Sequence, residues 1–147
     1  MAANTSPIFT LTPRISWGTV DDNSGATAGP MLTASTSMAG TGYVTPVFTA
    51  GANGSYVQRL IARFAGTTGN ATVLRVFVNN GSTNATAANN VLIGELTLPS
   101  TTANAAAALQ PAELQLNFPL PAGYVINCTL GTTITAGVYV SVLGGDY

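Results

Sequence analysis

Short runs in which apolar or β-branched residues alternate with polar ones recur along this chain, separated by clusters of Gly, Pro, Asn and Thr. Helical periodicity is almost absent, and this rhythm is the one expected of a sandwich or barrel. It predicts strands over 8–12, 14–20, 43–49, 55–65, 72–79, 91–98, 112–118, 124–130 and 137–143. Period two assigns faces within them. In 124–130, Tyr124, Ile126, Cys128 and Leu130 share one side and Val125, Asn127 and Thr129 the other, so Cys128 is expected to point inward as a small apolar filler. In 112–120 the inward set is Ala112, Leu114, Leu116, Phe118 and Leu120, with Glu113, Gln115 and Asn117 outward. Tyr56, alternating with Leu60, Ala62 and Phe64, is expected in the core, and Val138, Val140 and Val142 continue the pattern.

The connections carry their own signals. Leu120-Pro-Ala-Gly-Tyr124 has a proline to fix φ and a glycine free to take φ > 0, as a tight turn demands. The glycine-bounded loop Gly131–Gly137 predicts that 124–130 and 137–143 return on each other as a hairpin. Residues 79–90 are small and polar and read as a surface loop. Residues 99–110 read as an extended connection, since Thr-Thr and the prolines oppose a turn of helix at Ala105–Ala108, and 21–42 as a second long connection. The whole is one all-β domain, an antiparallel β-sandwich over 13–147, with 1–12 as an N-terminal arm or edge strand.

Composition changes the picture. Only 6% of the 147 residues are charged, with no lysine and no histidine, where soluble domains carry roughly 25%. Charge keeps a surface solvated and repulsive toward its own copies, so a deficit this large implies a surface that is covered by assembly. The net charge of -1 offers no field for nucleic acid. No window approaches the roughly 18 apolar residues of a spanning helix, and Met1–Thr12 lacks the basic and apolar regions of a secretory signal. Six Asn-x-Ser/Thr sites, at Asn4, Asn53, Asn70, Asn80, Asn84 and Asn127, then follow from an Asn/Thr-rich composition and imply no glycosylation. One cysteine excludes an internal disulfide framework and an all-cysteine metal site.

Candidate chemistry is correspondingly thin. Without histidine, the many Ser and Thr hydroxyls lack their usual base, and Asp21 and Asp22, adjacent in sequence, point apart if extended and cannot pair as acid and base. The Asp-rich spacing of a calcium loop is missing, and Gly40-Thr-Gly42 lacks the further glycine and lysine of a phosphate loop. The expectation is no enzyme, no metal and no cofactor. Arginine is the stronger signal. Arg59 and Arg63 share a strand face, and an antiparallel neighbour would bring Arg75 alongside, crowding three guanidinium groups on one sheet. Two readings stand: solvated side chains paired with Glu95 or Glu113, or a subunit or partner contact, which suits arginine's planar, weakly hydrated fork. Trp17 and Tyr147 join Arg59, Arg63 and Arg75 as candidate interface residues. With Tyr43, Tyr56 and Tyr139, the same aromatics would suit a sugar-binding platform.

The runs Val76-Phe-Val-Asn-Asn-Gly81, Thr83-Asn-Ala-Thr-Ala-Ala-Asn-Asn90, Leu120-Pro-Ala-Gly-Tyr124, Thr129-Leu-Gly-Thr132 and Gly144-Gly-Asp-Tyr147 resemble small β-rich structural proteins of tailed bacteriophages and prophages. The resemblance covers 72–147 and consists of turn and loop motifs. It implies a virion component: a decoration or cement protein assembled in the host cytoplasm, commonly a homotrimer, bound to the major capsid protein on the outside of the head. It brings no catalytic residues, and neither nucleic acid nor membrane is expected as a partner. The fold expected with it is a jelly-roll-like sandwich. The alternatives are a glycan-binding adhesion module and a tail or baseplate subunit.

Overall fold

The computed structural model describes residues 10–18, 29–106 and 108–147. It is an all-β antiparallel sandwich of two four-stranded sheets. The strands are β1 Thr12–Trp17, β2 Thr45–Thr49, β3 Ser55–Phe64, β4 Thr68–Gly69, β5 Thr72–Asn79, β6 Asn90–Leu98, β7 Thr101–Thr102, β8 Ala112–Leu120, β9 Val125–Leu130 and β10 Val138–Asp146. The first sheet runs β1-β10-β3-β8 and the second β2-β9-β5-β6, while β4 and β7 form a small separate pair. The expected strands from 43 onward fall on observed ones, and the first strand within the described residues is β1. Asp21, Asp22 and most of the expected arm lie outside the described residues.

Pairing follows a nested order: β1 with β10, β2 with β9, β3 with β8, and β5 with β6 at the centre. The chain is thus one long two-stranded ribbon bent over itself, its tip at Asn79–Asn90. This corrects the expected hairpin of 124–130 with 137–143. Those segments are β9 and β10, and they lie in opposite sheets. Both present an apolar face to the same core, Ile126, Cys128 and Leu130 from one side and Val138, Val140 and Val142 from the other. Two strands packed face to face across a sandwich show the same alternation as two strands paired edge to edge, so the pattern alone cannot separate them.

The turn at Pro121–Tyr124 forms as expected, with Tyr124 N–H donating to Pro121 O at 3.1 Å and Gly123 at φ +74°. Tyr56 departs from expectation. The register of β3 slips against both of its neighbours near Gln58, between Leu143 and Gly144 on β10 and between Val57 and Arg59 against β8. One extra residue reverses the alternation. Val57, Leu60, Ala62 and Phe64 face the core, whereas Tyr56 lines a depression of about 540 Å³ on the outer surface with Pro13, Ile15, Gln58 and Leu143.

The two outer faces differ. On the second sheet, Phe77, Asn127 and Thr129 point away from the core yet are fully buried. The segment Met31–Val44 covers them, held by bridges from Met31 to Val138 and Ala34 to Leu130 and by an Arg75 Nη1 bond to Ser35 O at 3.4 Å. The expected surface loop 79–90 is exposed over its crown, but its ends are not. Asn79 and Asn90 are buried and join Asn127 in a side-chain network, with Asn90 Oδ1 accepting from Asn79 and Asn127 at 3.1 Å each.

Candidate functional site

The outer face of the first sheet carries the site. Residues paired across an antiparallel sheet point to the same side, so its rows follow from register. One row is Ile15, Leu143, Arg59 and Gln115, and the next Trp17, Ser141, Ile61 and Glu113. Tyr139 and Arg63 begin a third. Ile15 is 66% exposed, Trp17 55% and Tyr139 48%. Here the alternation that buries Val138, Val140 and Val142 sets Tyr139 and Leu143 outward, and the slip near Gln58 sets Arg59, Ile61 and Arg63 outward. The result is a broad surface of aromatic, aliphatic and arginine side chains, the residue types enriched where proteins meet.

Trp17, Arg59 and Arg63 therefore share one face, as a contact surface requires. Arg75 does not. It stands on β5 of the second sheet, 15% exposed beneath the covering segment, with Nε donating to Glu95 at 3.0 Å. The expected crowding of three arginines is corrected by topology: β3 is flanked by β10 and β8, so β5 is never its neighbour. Tyr147 is half-buried at the end of the sandwich, its N–H donating to Gly54 O at 3.2 Å. Arg59 donates to Glu113 at 3.2 Å in a half-exposed pair. Arg63 has no carboxylate partner among the described residues. Ile15, Ile61 and Leu143 are the members that sequence reading passed over, and Tyr139 entered it only as part of a sugar-binding platform. Period two placed Ile61, Tyr139 and Leu143 opposite core residues, but an exposed apolar residue becomes a signal only when its neighbours across the sheet are known.

A polar clamp fixes β1, the strand that presents Ile15 and Trp17. Arg14 Nη1 donates to Thr49 O at 2.8 Å and to both Asp146 carboxylate oxygens at 3.1 Å, and the guanidinium lies 4.7 Å from the centre of the Phe48 ring. Asp146 also accepts from Ser55 Oγ at 2.5 Å. Burial alone would raise the pKa of Asp146; the Ser55 hydroxyl, Arg14 and the Gly51 N–H outweigh it and hold the carboxyl below its ordinary value. A carboxylate whose pKa is depressed by folding stabilises the fold fully above its unfolded value, and that contribution is lost as pH falls through the folded value. Denaturation midpoints are therefore expected to drop as pH is lowered from about 5 toward 2, and Asp146→Asn is expected to cost about 1 kcal/mol at neutral pH while flattening that acid limb. Urea titrations of both proteins across the range measure it.

Chemistry has little purchase here. Burial pushes the Cys128 thiol far up, which keeps it protonated and unreactive. Among the described residues, Asp146, Glu113 and Glu95 each face an arginine, and no three Asp, Glu or Cys side chains gather into a metal set. Comparison of the chain with protein families, with curated proteins and with solved structures gives no match.

Proposed function

We propose that this chain is a virion structural subunit, a decoration protein that binds the major capsid protein on the outside of a phage head and stabilises the shell through non-covalent contacts. The observation that carries this reading is the asymmetry of the sandwich: one outer face is closed over by its own chain, and the other offers Ile15, Trp17 and Tyr139 with Arg59 and Arg63. Sparse charge elsewhere fits a protein whose surface is hidden by neighbours. The nested strand order supports a jelly roll, in which two four-stranded sheets arise from one folded ribbon, an architecture used by capsid and lectin domains. A homotrimer places three copies of the open face on a lattice, and many modest contacts then add to the free energy of rupture.

The test is co-sedimentation of the purified full-length protein with undecorated heads. Binding is expected, and Trp17→Ala with Tyr139→Ala is expected to weaken it by at least about tenfold, since large aromatics dominate such contacts. Circular dichroism of the variant should be unchanged because both side chains lie outside the core. The exposed aromatics also suit a glycan, which keeps the adhesion reading in view. Retention on glycan surfaces, or binding to tails and not heads, decides against decoration.

A further inference from the structure

The two main sheets have four edges, and three of them contain proline: Pro13 in β1, Pro46 in β2 and Pro119 in β8. Proline in an edge strand takes away a backbone donor and so obstructs the addition of another strand. The fourth edge, β6, has none. It is nine residues long, pairs only with β5, and exposes Val91 at 65% and Ile93 at 39%. An edge without proline that is flanked by exposed apolar side chains is otherwise a liability.

We infer that β6 is a pairing edge, and that its occupant is β6 of a second copy, running antiparallel across a two-fold axis at Leu92. The choice of occupant follows from register. An axis at Leu92 sets Val91 of each copy opposite Ile93 of the other and Asn90 opposite Gly94. Directly opposed residues share a face, so the four exposed apolar side chains cover one another in two neighbouring cross-strand pairs. Glu95 then falls beyond the paired stretch, opposite Asn89, and no like charges meet. The other edges of the same protein are proline-bearing, which leaves β6 as the best match for itself. The register shift at Ile93 twists the strand and keeps the pairing short, about five residues, which suits a link between assemblies more than an obligate dimer. Such a contact is isologous and closes on itself.

Light scattering of the full-length protein tests this directly. The wild-type protein is expected to contain an even number of copies, and Val91→Lys/Ile93→Lys to halve the mass while retaining the strand signature in circular dichroism, since both side chains are exposed. Thr97→Lys, on the same edge but outside the paired stretch, is expected to leave the mass unchanged. A single copy at every concentration, or a wild-type mass retained by the double variant, overturns the inference. A trimer that the double variant leaves intact overturns it too, yet leaves the decoration reading standing, because that reading rests on the opposite sheet and on head binding.

Discussion

Replacing Asn90 with alanine is expected to lower the unfolding free energy by about 3 to 5 kcal/mol, far beyond the loss of one side chain's contacts. Asn90 is buried where the ribbon tip, β9 and the covering segment meet. Its Nδ2 donates to Gly40 O at 2.9 Å, to Thr86 O at 3.1 Å and to Asn84 O, and its Oδ1 accepts from Asn79 and Asn127. Alanine would leave several buried groups without partners at once, and each unmade buried hydrogen bond costs about 1 to 3 kcal/mol. Asn90→Asp should be at least as damaging at neutral pH. A carboxylate can still accept from Asn79 and Asn127, but it turns negative charge toward three carbonyl oxygens that need donors. Urea midpoints at constant slope measure both. A second readout is proteolysis of the segment Met31–Val44, which should be cut faster in Asn90→Ala because Gly40 loses its anchor. The open face of the first sheet shares no residue with this network, so head binding by the remaining folded variant should survive.

That network also shows where sequence reading stops. Strand positions were legible because period two survives over most of each strand, broken only by slips such as those at Gln58 and Ile93: Cys128 faces inward as its alternation requires, and Leu114, Leu116 and Phe118 pack against the core from a half-buried edge. The companions of Cys128 on the other side were read as outward, and so they are, but Asn127 and Thr129 are fully buried under Met31–Val44. Alternation reports which side of a strand a residue takes, not what lies over that side. Pairing was hidden for a related reason. The β9 and β10 patterns fit a hairpin and a sandwich equally, and the deciding contacts join residues such as Ile15 and Leu143 from opposite ends of the chain. The candidate site was half legible. Arg59 and Arg63 could be placed on one face from spacing alone, and Trp17 joined them only through β10, which lies between β1 and β3.

Gly144→Ala is expected to cost about 3 kcal/mol or more and to abolish head binding, although it adds a single methyl group. A Cβ at Gly144 would lie 2.3 Å from the Tyr56 carbonyl oxygen and 3.3 Å from Val57 Cα, and these are backbone atoms of the neighbouring strand that no rotamer change can move. Overpacking normally costs about 1 to 3 kcal/mol; here β3 and β10 must also part at the register slip in the middle of the first sheet. Gly123→Ala is the control. It sits at φ +74° with nothing within 4 Å of its Cβ, so only backbone strain of about 1 kcal/mol is expected. The larger effect bears on function because the slip decides which residues face out. It lets Val57 and Leu60 both reach the core with two residues between them, and it thereby turns Arg59, Ile61 and Arg63 onto the open face. If the methyl group forces the strands back into simple alternation, Tyr56 returns toward the core side and the rows that hold Arg59 and Arg63 shift against Ile15 and Trp17. Urea midpoints and co-sedimentation with heads, measured on both glycine variants, separate this account from a general loss of stability. A Gly144→Ala protein within about 0.5 kcal/mol of wild type, where uneventful surface changes fall, means that the slip does not exist in solution and that the open face has a different composition.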